Sequence, residues 1–181
     1  MAQMNSKPDK SSPAYLAGKV KSGRHSLLMI VIFTIINLVL VWLDSGTYFL
    51  FSASVPYYVT TLVKAIENDF SAGAWVNGPT TMRALIFSFV VLTVYFLCWL
   101  FSDKRRGWLI AALVLFVLDS LAMVLFSLML YDNLLTNVID LVFHVWAIVD
   151  LSQAIWAAGK LKKLPSPLAQ AVSPENNGPE L

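Results

Sequence analysis

Asp140 and His144 stand four residues apart in an otherwise apolar stretch. On a helix that spacing places a carboxylate and an imidazole on one face, one turn apart. Such a pair can hold, orient or pass a proton near neutral pH. It can also offer two ligands to a cation, although a zinc site needs three or four; no metal or cofactor is therefore expected. At 100° per residue, Asn133 and Asn137 fall within about 60° of the pair. Ala147, Leu151, Ala154 and Ala158 continue the same stripe, and Val138, Val142, Val145, Val149 and Trp156 occupy the opposite face. One half of this stretch thus carries polar chemistry and the other small residues that allow close helix approach.

Three further polar residues are isolated within apolar runs: Asn37, Tyr95 and Asp119. With a rise of 1.5 Å per residue, Asp119 lies roughly 16 Å into its run and His144 roughly 15 Å into its own from the opposite end. Asn37 and Tyr95 fall at nearly the same level. The expected cluster is therefore Asn37, Tyr95, Asp119, Asn137, Asp140 and His144, with Asp119 and His144 as the preferred pair. Its chemistry reads in two ways. It is a proton path or ligand-binding polar centre, or it is mutual hydrogen bonding that fixes helix register, at about 0.6 kcal/mol per interhelical bond. Asp150, about 80° from Asp140 and further along, is expected to pair with a basic residue.

The elements that must position these residues follow from composition. The chain has 181 residues, 57% of them apolar and only 13% charged, against roughly 25% charged in globular proteins. Such a surface cannot be kept in water, so hydrocarbon is its expected solvent. Four runs approach the roughly 20 residues that a membrane-crossing helix needs: about 27–43, 84–101, 108–131 and 134–158. Backbone amides without water must bond within their own segment, and no period-two alternation suggests a barrel. The fold class is an all-α, antiparallel four-helix transmembrane bundle.

Basic residues orient it. All lysines and arginines except Lys64 and Arg83 lie before the first run, between the second and third, or after the fourth. The positive-inside rule then places both termini in the cytoplasm, and the plasma (inner) membrane is the expected location. Ser52 and Ser54 superficially suit a signal cleavage site, but the long polar leader fits a retained anchor better. Trp42, Trp99, Trp108 and Tyr131 read as interface anchors.

Residues 1–26 form a basic, mobile cytoplasmic segment, and 159–181 a disordered tail rich in Pro, Ser, Asn and Glu. The loop after the first run is far longer than a connection requires. Within it, Val55, Tyr58, Val59, Leu62, Val63 and Ile66 share one helical face and Thr60, Thr61, Lys64, Glu67 and Asn68 the other. This predicts an amphipathic helix at about 55–68, lying on the outer leaflet or over the bundle mouth. Ser54 is its expected cap, and Pro56 sits where a first-turn proline is tolerated.

Several functions are excluded or unsupported. A net charge of +2 without a basic-aromatic stripe argues against nucleic acid. The single cysteine, Cys98, allows neither an internal disulfide nor a CxxC pair. Zinc-hydrolase, serine-elbow and phosphate-loop motifs are missing, and the helix pairs show no internal repeat. The leading expectation is a small non-enzymatic accessory, assembly or regulatory protein that binds lipid or other membrane proteins. The alternatives are an oligomeric, proton-responsive transporter or channel and, less favoured, an intramembrane enzyme acting on lipid.

Overall fold

The computed structural model of the chain describes residues 10–70, 79–131 and 138–164. These residues form five α-helices and, among them, no strand: α1 Pro13–Trp42, α2 Ser54–Phe70, α3 Pro79–Phe101, α4 Arg106–Tyr131 and α5 Val138–Leu161. Helices α1, α3, α4 and α5 are long and apolar enough to cross a membrane. They coincide with the four runs read from the sequence. The tail beyond Leu164, the Asp132–Asn133 turn and Asn137 lie outside the described residues.

The first helix begins well before Leu27. Ser12 caps it by accepting from the Tyr15 amide at 3.3 Å, and Pro13 takes the first-turn position where its missing N–H costs nothing. Residues 13–26 are therefore helical rather than a mobile leader. They are held there by α5, on which α1 packs more extensively than any other pair of helices. At the crossing, a Cβ on Gly23 would collide with Ala154 Cβ and lie 3.3 Å from the Asp150 carbonyl oxygen. Glycine is thus required by backbone proximity.

The small-residue stripe on α5 provides the other half of that crossing. Ala147, Leu151 and Ala154 are buried, whereas Val142, Val145, Val149 and Trp156 are exposed. The apolar core joins Leu27, Ile30 and Val31 of α1 to Leu92 and Cys98 of α3, Leu109, Ala112 and Phe116 of α4, and the α5 stripe. Trp99 and Trp108 pack against this core, while Trp42 is exposed.

The α1 C-terminus turns the chain sharply. Ser45 N–H donates to Leu40 O at 2.9 Å and Asp44 N–H to Val41 O at 3.3 Å, with Asp44 at φ 56°. This is a Schellman termination, with aspartate taking the left-handed position that glycine usually fills. Lys64 from α2 then donates to Val41 O at 2.7 Å and forms an ion pair with Asp44. A cation at the negative end of the α1 dipole is stabilising.

Helix α2 spans the segment predicted from its periodicity, and its polar face is packed inward along with Tyr58 of the apolar face. Thr60 is 0% and Lys64 4% exposed, whereas Ile66 on the apolar face is 48% exposed. The reason lies in its neighbours, which present polar groups. Thr60 Oγ1 is 3.0 Å from Ser88 Oγ of α3, and Ser88 donates to Pro56 O at 3.1 Å. At the other end, Glu67 accepts from the Thr80 amide (3.0 Å), the Thr81 amide (2.8 Å) and the Thr81 hydroxyl (2.6 Å). Those contacts cap the α3 N-terminus, and the Thr81 hydroxyl foremost holds the Glu67 carboxyl below its ordinary range.

Candidate functional site

The start of α2 carries two amides without intrahelical partners, as every helix start does. They are satisfied from another helix. Asp119 Oδ2 accepts from Ser54 N–H and Oδ1 from Val55 N–H, both at 2.8 Å. Asp119 lies about halfway along α4, so a carboxylate in the middle of one long apolar helix caps the N-terminus of another. The charge suits the positive end of the α2 dipole. Ser54 is itself the first residue of α2, and its own amide is held from α4.

His144 completes this junction. Its Nδ1 is 2.9 Å from the Asp140 carbonyl oxygen, which can only accept, so Nδ1 carries a proton. Its Nε2 lies 3.3 Å from Ser54 Oγ and 3.4 Å from Asp119 Oδ2. A neutral imidazole accepts from the serine hydroxyl at Nε2; a protonated one donates to Asp119. Phe116 stacks over the imidazole with centroids 4.8 Å apart and planes 8° from parallel, sealing the side toward the apolar core.

Asp140 extends the polar cluster. Its Oδ2 accepts from Tyr48 OH at 2.8 Å. Oδ1 lies 3.6 Å from His144 Nδ1 and makes no hydrogen bond of ordinary geometry. From Tyr48 the cluster runs through Ser52 Oγ (3.3 Å) to Asn37 Nδ2 (2.8 Å).

Asn37 and Thr34 satisfy the irregular backbone of the connecting stretch 43–53 at Phe49 and at its buried end, Ala53. Asn37 donates to Phe49 O and accepts from Phe49 N–H, each at 2.8 Å, as a neighbouring strand would. Thr34 Oγ1 accepts from Ala53 N–H at 2.8 Å while donating to Ile30 O at 2.7 Å. Irregular backbone among apolar helices is tolerated where protein groups satisfy it. Phe51, at φ 76°, is held in that strained region by its ring against Phe143 and Trp146, at 4.4 and 5.1 Å.

Of the six residues proposed from sequence, Asp119, Asp140 and His144 meet directly, and Asn37 joins them through Ser52 and Tyr48. Tyr95 is buried in the apolar core, and its hydroxyl makes no hydrogen bond to the other described members. Asn137 lies outside the described residues. Asp150 departs from expectation: it accepts from Ser22 (3.0 and 3.2 Å) and Ser26 (2.6 Å), while Lys19 goes to Gln153 at 2.6 Å. The crossing at Gly23 is too close for a long basic side chain, and the two serines reach Asp150 from adjacent turns.

Three partners escaped the sequence reading: Tyr48, Ser52 and Ser54. A signal for them exists, because the chain is uncharged from Ser45 through Val63, which suits burial better than an aqueous loop. The site is closed. Asn37 is 0%, Asp140 1%, His144 1% and Asp119 5% exposed. Among the described residues no group of three or more His, Cys, Asp or Glu is arranged to hold a metal ion. No protein-family model, no curated protein and no solved structure matches this chain.

Proposed function

We propose that this is a four-span membrane protein that works by binding lipid or other membrane proteins rather than by turnover. Its four long helices form an antiparallel bundle in the plasma membrane, with both termini cytoplasmic. Stretch 43–53 and α2 form a re-entrant hairpin entering from the outer side, in place of a helix lying flat on the surface. Support for the hairpin comes from its bonds: Ala53 to Thr34, about two turns inside the end of α1, and Ser54 to Asp119, halfway along α4.

The observation that carries the functional reading is the closure of the polar centre. Its charged groups are buried and spend nearly all their hydrogen-bonding capacity on one another and on the hairpin backbone. A centre of this kind fixes architecture and leaves no room for a substrate. Meanwhile α4 exposes Leu118, Leu121 and Leu125 along one face, suited to lipid or a neighbouring membrane helix.

The test is reconstitution of the purified chain into liposomes with an imposed pH gradient, together with a photo-crosslinker at Leu121 in native membranes. Proton leak should match protein-free vesicles, and Asp119→Asn should not change it. The crosslinker should capture a discrete protein partner or lipid.

A second reading is a proton-responsive transporter assembled from several copies. It is favoured by two carboxylates flanking one imidazole, with Asp140 Oδ1 lacking a hydrogen bond. Flux above the vesicle baseline that disappears in Asp119→Asn would replace the first reading with this one.

A further inference from the structure

A groove of about 740 Å³ lies between the start of α1 and the second half of α5. Its floor is formed by α5, apolar at Ile148 and Val149 with Ser152 and Gln153 beside them, and Trp156 stands at its rim. Lys10 and Lys19 also line it, and among the described residues no acidic side chain does. We infer that this groove binds an anionic phospholipid, its phosphate between Lys10 and Lys19 and an acyl chain along α5. The inference rests on the cytoplasmic placement of these helix ends proposed above.

Charge complementarity is the first argument. Lys19 Nζ gives one proton to Gln153 Oε1 and lies 6.0 Å from the Tyr15 ring centre, so its remaining protons are free for an anion. Lys160 places a third ammonium 4.3 Å above the Trp156 ring, beside the floor. The nearest α5 carboxylate, Asp150, is buried and already engaged by the Ser22 and Ser26 hydroxyls. Basic residues at a membrane surface attract anionic lipid.

The apolar floor selects a lipid over a soluble anion. It continues without interruption into the exposed valines of α5, Val145 and Val142, which offer an acyl chain a path toward the bilayer interior. Trp156, half-exposed at the rim, suits the level where headgroup meets hydrocarbon.

The experiment uses the full chain in phosphatidylcholine vesicles and reads Trp156 fluorescence as the difference between wild type and Trp156→Phe. The quencher is an acyl-brominated lipid, either phosphatidylglycerol or phosphatidylcholine. Half-quenching should need several-fold less brominated phosphatidylglycerol than brominated phosphatidylcholine. Lys10→Gln and Lys19→Gln should each weaken that preference by about fivefold, as expected for one basic residue at the surface. Equal quenching by the two lipids, or an unchanged preference in the double variant, overturns the headgroup site. Quenching by aqueous iodide and by neither lipid instead overturns the membrane placement on which the site depends.

Discussion

Two backbone amides at the start of α2 depend on the Asp119 carboxylate. Asp119→Ala leaves both buried and unpaired, at about 1–3 kcal/mol each. Asp119→Asn retains one acceptor and should cost less. Ser120→Ala removes only a hydroxyl bonded to Phe116 O of its own helix and should be nearly neutral; denaturation of the three variants in mild detergent checks the order. Glu67 gives a pH prediction. Its folded carboxyl titrates below the ordinary 4.5 because the Thr81 hydroxyl and the Thr80 and Thr81 amides favour the charged form. Its contribution is therefore fully present above pH 4.5 and is lost as pH falls through the lower folded value. Glu67→Gln should flatten the acid limb of a stability-pH profile and leave the neutral region's slope unchanged. At this scale the sequence exposed the charged members of the centre, since a carboxylate in an apolar run demands a partner. It hid Tyr48, Ser52 and Ser54, which are common residues whose role depends on a backbone path with no periodic signature.

At the level of elements, α2 is held by helix ends. Its N-terminus is capped by α4, its Lys64 caps α1, and its Glu67 caps α3. These bonds explain why a helix with a strong apolar face also buries Thr60 and Lys64 of its polar face. Periodicity revealed the helix and its two faces, but which face is inside depends on whether the neighbours offer oxygens and amides or methyl groups. The α1–α5 crossing gives the sharpest substitution test. Gly23→Leu must push the two backbones apart and should destabilise by about 1–3 kcal/mol, as overpacked sites do. Gly18→Ala meets nothing within 4 Å and should be neutral or stabilising by up to about 1 kcal/mol, because alanine is the better helix former. Thermal melts of both in detergent separate a packing role from a general aversion to side chains on this helix. The sequence marked the α5 side of the seam through its small residues; the α1 side was read as leader because its lysines outweighed Gly23, Ser22 and Ser26.

For the whole molecule, the four long apolar helices were legible because length and hydropathy alone identify them, whatever their tertiary contacts. Their arrangement and the hairpin were not, since both depend on polar contacts between distant segments. In a Cys98→Ala background, cysteines at Lys10 and Lys163 should react with an impermeant maleimide only after cells are opened. A cysteine at Gly46 should react in intact cells. The most direct test concerns the hairpin, because the closed polar centre exists only if α2 starts deep in the bilayer. Nitroxide labels at Val55→Cys and Ile66→Cys, read by the ratio of oxygen to nickel-chelate collisions, report their depths. Val55 should lie near mid-bilayer and Ile66 shallower by up to about 16 Å, the rise of the intervening helix; equal, shallow depths at both positions would rule out the re-entrant hairpin.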